Sequence, residues 1–164
     1  TIDFRLPNQS GDTVTWSDLD LKDIVVIVEI TGSWCPNCMD ANRALNELLQ
    51  NYDQNRVVVL PITFEASADL DKAMPSIKRM QATTGMGEKF LFGGKASRGN
   101  VERAIPMIDN FMSYPTLIFV DKNRRVARIF TGFYGPGTGV HYENFMSETK
   151  SLLDSLVAAE PIGS

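Results

Sequence analysis

Cysteine and histidine are nearly missing from this sequence, whose 164 residues hold two Cys and one His. A structural zinc site needs four ligands, so carboxylates would have to join Cys35, Cys38 and His141, and no Cys/His zinc spacing occurs. No metal is expected. An excess of basic charge is missing too. Lys and Arg total 16 against 20 Asp and Glu, for a net charge of -4, and the basic residues are scattered among acidic neighbours, which argues against nucleic acid. Long apolar runs are absent: the longest aliphatic stretch is Ile24 to Val28, far short of the 18 or so residues of a membrane helix. Phosphate-binding glycine patterns fail as well. Gly94-Lys95 is followed by Ala96, with Lys89 where a P-loop's first glycine belongs, and "GFYGPGTG" has Val140 where the dinucleotide pattern needs its last glycine. The sequence starts at Thr1 without a charged segment leading into an apolar one. A signal peptide, anchor or upstream domain is therefore expected to lie outside it or to have been removed.

What remains is a chain 43% hydrophobic and 22% charged, enough for one core without disulfide support, so residues 1–164 are read as a single domain. Residues 2–16 alternate around a Ser-Gly-Asp turn and predict a hairpin. "IVVIVEI", 24–30, and "VVVLPI", 57–62, predict buried strands. Between them, Ala41, Leu45, Leu48, Leu49 and Tyr52 recur at helical spacing, predicting a helix from Pro36 to about Tyr52. Residues 68–82 look helical, with Pro75 expected to kink or delay the helix. "TGMGEKFLFGGKASRGN" reads as a loop or lid, followed by a short helix near 100–110. "TLIFVD" and "RVARIF" predict a second hairpin, and Phe145 to Val157 line a closing helix. A strand, helix and strand in this order lie parallel with a right-handed crossover, and the later hairpin extends the sheet antiparallel. The expected class is α/β, a mixed central sheet flanked by helices on both faces.

Both cysteines fall in "TGSWCPNCMD", at the carboxyl end of the first buried strand, where open α/β sheets collect their sites. A staple closing so small a ring would add about 2 kcal/mol by loop entropy, which a domain of this size hardly needs. A redox reagent has better support. Cys35 at a helix N-terminus meets free backbone N–H groups and the positive end of the dipole, both favouring thiolate. A fall in its pKa from about 8.5 to about 7 would raise the thiolate fraction at neutral pH from roughly 3% to roughly half. Cys38, one turn deeper, is placed to resolve a mixed disulfide formed on Cys35. Pro36 suits the first helical position. Trp34 is read as a substrate-facing lid, with a plain core role as the alternative.

"VVIVEITGSWCPNC" resembles the active-site strand and turn of the thioredoxin superfamily, and "SYPTLIFVDKNRRVARIFTGF" resembles its later proline loop and hairpin. "FRLPNQSGDTVTWSDL" and the overall length narrow the resemblance to the TlpA/ResA-like, AhpC/TSA-related thiol-disulfide oxidoreductases of bacterial cell envelopes. It covers nearly the whole chain. It implies a thioredoxin-like fold with an N-terminal hairpin and an insertion at about 84–112 before the proline loop, a partner-specific wall or a variable loop. It further implies that Pro115 is cis and that Tyr114 presents its backbone to a bound polypeptide. Protein thiols and disulfides would be the partners, with a membrane electron donor behind them, no dissociable cofactor, and a monomer working in the periplasm or cell envelope. Cytochrome c maturation is one client pathway of such proteins. Pro36-Asn37 departs from the Gly-Pro and Glu-Pro of relatives, so the reduction potential does not carry over.

Two carboxylates complete the expectations. Glu29, six residues before Cys35, matches the buried acid of thioredoxins, and is read as the proton acceptor for Cys38; an outward side chain or an ion pair is the alternative. Glu65 resembles an active-site glutamate of the ResA-like group, with a solvated loop residue as the alternative. Two other functions stay open: an inert binding or assembly module with a structural disulfide, and a peroxiredoxin-related protein, although the Thr-x-x-Cys context is missing around Cys35.

Overall fold

The computed structural model describes residues 1–162. Its main sheet has five strands in the order β5-β4-β3-β6-β7: β3 (Val25–Thr31), β4 (Val57–Glu65), β5 (Leu91–Lys95), β6 (Thr116–Val120) and β7 (Val126–Thr131). β3, β4 and β5 run parallel, while β6 and β7 are antiparallel additions. A separate hairpin joins β1 (Arg5–Pro7) to β2 (Thr13–Thr15), and Asn8 bridges it to Leu91. The helices are α1 (Pro36–Leu49), α2 (Leu70–Thr84), α3 (Arg98–Ala104) and α4 (Val140–Ala158).

Every residue of β3 is buried, because helices or loops cover both faces of the central strand. Strand periodicity divides its side chains. Val26, Val28 and Ile30 pack with Ile62, Phe64, Ile118, the hairpin and α3. Val25 and Ile27 pack with Ala41, Leu45, Leu117, Phe119 and α4. Glu29 and Thr31 continue that second set, so both lie beneath α1.

Two expectations change. Pro75 lies inside α2, which runs unbroken to Gly85, a left-handed C-cap at φ 78°. The loop expected at 84–100 contains β5, whose Gly93 and Gly94 mask it. A Cβ on Gly93 would stand 2.3 Å from the Phe64 ring, and Gly94 takes φ 104° beside a register shift at Thr63/Phe64. Here glycine marks close packing and a bulge. β4 also extends past Ile62 to Glu65.

Candidate active site

Residues 31–38 carry the chain from the end of β3 into α1. Cys35 is the N-cap of α1, with extended backbone, and its Sγ accepts the Cys38 N–H at 3.2 Å. Pro36 occupies the first helical turn, where no N–H is needed. Cys35 is 6% exposed and Cys38 fully buried. Both thiols are free.

The two sulfurs differ in acidity. The side chain of Cys38, with backbone N–H groups of Cys38 and Asn37, lowers the Cys35 pKa to about 7 against the opposing effect of burial. The same sulfur-to-sulfur hydrogen bond, then burial and the charge of Cys35, push Cys38 far up. One thiol is about half ionised at neutral pH and the other is held protonated.

Glu29 lies in the middle of the sheet, its register partners Pro61 on β4 and Leu117 on β6. It is fully buried, and neither carboxyl oxygen has a hydrogen-bond partner among the described residues. Neither the outward side chain nor the ion pair occurs. Burial, and secondarily the charge of Cys35, raise its pKa to about 8. It shares the α1 face with Thr31, which is likewise fully buried.

Glu65 is not a solvated loop residue. It ends β4 beside Lys95 of β5, is 2% exposed, and accepts hydrogen bonds from the Ser33 N–H at 3.0 Å and the Ser33 hydroxyl. Burial raises its pKa while Ser33 acts against that rise. The carboxyl thereby ties the turn before Cys35 to the second parallel strand.

Trp34 is half exposed at 49%. Its indole N–H donates to the Phe64 carbonyl at 2.8 Å, and its ring meets Tyr114 edge-on at 4.9 Å. Gly32 makes room for that indole: a Cβ there would lie 2.4 Å from Trp34 Nε1 and 2.7 Å from the Phe64 oxygen. The Tyr114–Pro115 bond is cis, and Pro115 is buried. Tyr114 also packs on Phe111 at 4.9 Å. Its phenol is pushed up to about 12, first by burial, then by Cys38, Cys35 and Glu65. The cysteine turn, Glu65 and the proline loop thus meet at one end of the sheet.

Ser33 and Phe111 escaped the sequence reading. Serine before a tryptophan carries no signal by itself, and Phe111 sits in a segment with no periodicity. Phe111 is held from α3, where the Glu102 carboxylate accepts its N–H at 2.9 Å. Among the described residues, no three His, Cys, Asp or Glu side chains gather where they could hold a metal ion. No helix among them is long and apolar enough to cross a membrane.

The model of the AhpC/TSA family matches residues 1–133, which include every residue of this site. The chain belongs to the AhpC/TSA family. Solved structures place this family member among thioredoxin-like folds. A thiol:disulfide interchange protein of the thioredoxin family from Chlorobium tepidum is 15% identical, covering 96% of this chain and 95% of its own, at a TM-score of 0.66. A thiol-disulfide oxidoreductase from Bacteroides fragilis is 18% identical over 92% of this chain and 96% of its own, at 0.63. A DsbF homologue from Corynebacterium diphtheriae is 19% identical over 92% and 84%, at 0.62. At such identities the likeness is one of fold. No curated protein sequence matches this AhpC/TSA-family chain.

Proposed function

We propose that this chain is a thiol-disulfide oxidoreductase that exchanges disulfides with protein partners through Cys35-Pro36-Asn37-Cys38, working as a reductase. The observation that carries the reading is the inequality of the pair: a helix-capping thiol with a pKa of about 7 beside a fully buried thiol pushed far up. A structural staple has no use for that asymmetry. An exchanging pair requires it.

In the proposed cycle the Cys35 thiolate attacks one sulfur of a substrate disulfide. A Cys35–substrate disulfide forms and the other substrate sulfur leaves as thiolate. Cys38 then gives its proton to Glu29 and attacks Cys35 Sγ, forming the Cys35–Cys38 disulfide and releasing the second substrate thiolate. The substrate gains two electrons and the pair loses them, to be regained from an external dithiol or membrane donor. Glu29 suits its part because the negative charge of Cys35 is one cause of its raised pKa. Once Cys35 is neutral in the mixed disulfide, that cause vanishes, the Glu29 pKa falls, and a larger share of the carboxyl is ionised and free to take the Cys38 proton.

Trp34, Pro36, Tyr114 and Pro115 form the surface that meets the partner in this reading, and Glu65 fixes the attacking turn through Ser33. The setting is the cell envelope, outside the cytoplasm, supported by the likeness of residues 4–19 to the envelope-dwelling TlpA/ResA-like group. Dithiothreitol-driven reduction of insulin, followed by turbidity, tests the reading. The protein is expected to accelerate it and Cys35→Ser to abolish the acceleration. A wild-type rate equal to that of dithiothreitol alone would contradict it.

A further inference from the structure

Beside the cysteine turn lies a cavity of about 420 Å³ between α1, α2 and the segment after β4. The wall formed by α2 is a single stripe. Lys72, Ser76, Arg79 and Thr83 line the cavity at i, i+4, i+7 and i+11, with the buried Ala73 and Met80 at its floor, whereas Ile77 and Thr84 turn into the core. Trp34 and Met39 form the side nearest the redox pair, Met39 donating its N–H to the Cys35 carbonyl at 3.2 Å.

The charges at this cavity are unbalanced. Arg79 donates to Ser76 Oγ at 3.0 Å, which lays the guanidinium along the stripe, and has no carboxylate partner among the described residues. Lys72 has no hydrogen bond or ion pair among the described residues, whose four ion pairs lie elsewhere. Glu65, the one carboxylate lining the cavity, gives both oxygens to Ser33. In a chain of net charge -4, two uncompensated cations face a partly apolar cleft beside the attacking thiol. Such a cleft focuses potential on an anion.

We propose that this cavity is a specificity subsite for an acidic side chain carried next to the reacting cysteine of a protein substrate. Lys72 and Arg79 hold the carboxylate, and the hydroxyls of Ser76 and Thr83 donate to it. The aliphatic part rests on Trp34, Met39 and Met80. The occupant is a stretch of polypeptide because Trp34 lines this cavity and also packs on Tyr114. A chain crossing Trp34 reaches the proline loop on one side and the cations on the other. The inference rests on Cys35 being the attacking thiol. Neither Lys72 nor Arg79 is among the causes of the Cys35 shift, so their part is recognition and not thiol activation.

The test uses Cys38→Ser protein, which stops at the mixed disulfide, and short peptides whose single cysteine is activated as a 2-thiopyridyl disulfide. The Cys35 thiolate forms a bond to the peptide sulfur and pyridine-2-thione is released, one per protein, read by absorbance at pH 7. Peptides with Glu, Gln or Lys beside the cysteine are compared, each normalised to its rate with 2-mercaptoethanol. The Glu peptide should react about fivefold faster than the Gln peptide, as two exposed ion pairs allow, and the ratio should shrink at high salt. Lys72→Gln with Arg79→Gln should bring the ratio to about one, while Lys78→Gln, on another face of α2, should keep it. No preference for Glu, or a preference that survives the double change, overturns the subsite. Equal acceleration of the thiopyridyl disulfide of glutathione overturns its assignment to polypeptide and gives it to small acidic thiols. Because any thiolate attacks these probes, a Glu preference in a protein that fails to reduce insulin would sink the oxidoreductase reading and leave the subsite standing. Insulin reduction without a Glu preference would do the reverse.

Discussion

Glu29 stands opposite Pro61 in the parallel pairing of β3 with β4, so the buried carboxyl faces a side chain that can neither donate to it nor carry a charge. Its oxygens are left without partners, and the pKa rises to about 8. From near 4.5 to near 8 the folded protein holds a proton there that the unfolded chain has lost. Stability therefore falls as pH rises through this window, by up to about 1.4 kcal/mol per pH unit, and levels off above it. Glu65, also raised by burial, adds to the same slope. Urea unfolding from pH 5 to 9 should show the decline, with Glu29→Gln making it shallower and the variant more stable than wild type at pH 8. Parallel curves for the two proteins would show that Glu29 titrates normally.

The same carboxyl sets a kinetic expectation. Glu29→Gln cannot take the Cys38 proton, so release of product from the mixed disulfide should slow by about tenfold to a hundredfold. Attack by Cys35 on a disulfide should change much less. Stopped-flow separation of the two steps checks this, and equal slowing of both would remove Glu29 from the proton transfer.

Cys35 owes the largest part of its lowered pKa to the Cys38 side chain. In wild type, iodoacetamide should modify Cys35 with a midpoint near pH 7 and leave Cys38 untouched. Cys38→Ala should shift the midpoint upward and slow alkylation at pH 7 by about threefold or more. An unmoved midpoint would credit the helix N-terminus alone.

Much of this was legible beforehand, for identifiable reasons. The runs at 24–30 and 57–62 are dominated by Val and Ile, with Glu29 as the first run's one polar residue and Pro61 as the second's one poor strand former, and such runs specify buried strands. The cysteine pair announced itself because no other residues of its kind compete with it. β5 was hidden because Gly93 and Gly94 lower strand propensity, and their need is visible only once Phe64 and the register shift are in place. The burial of Glu65 was hidden for a related reason: β4 extends past Ile62, and only then does the carboxyl meet Ser33. The stripe from Lys72 to Thr83 reads in sequence as an ordinary solvated helix face, since nothing local says that a cavity lies over it.

Gly32 offers a test of the site's frame. An alanine Cβ there would collide with the Phe64 carbonyl as well as the indole of Trp34, and a backbone oxygen cannot swing aside. Gly32→Ala should cost about 1–3 kcal/mol and release Trp34 from its hydrogen bond, seen as a lower melting temperature and a red-shifted tryptophan emission. Unchanged melting and emission would mean that the turn relaxes freely.

The central claim is that Cys35 and Cys38 interconvert between dithiol and disulfide in a range where partners can drive them. Equilibration in dithiothreitol and glutathione buffers, with alkylation and mass analysis of the trapped thiols, gives the reduction potential directly. The account predicts a potential on the reducing side of the exchange range, toward the about -270 mV of a reductase such as thioredoxin, whereas about -120 mV would make it an oxidant. A pair that stays oxidised below about -300 mV, with no thiol titrating near neutrality, would contradict the account and leave a structural bridge in its place.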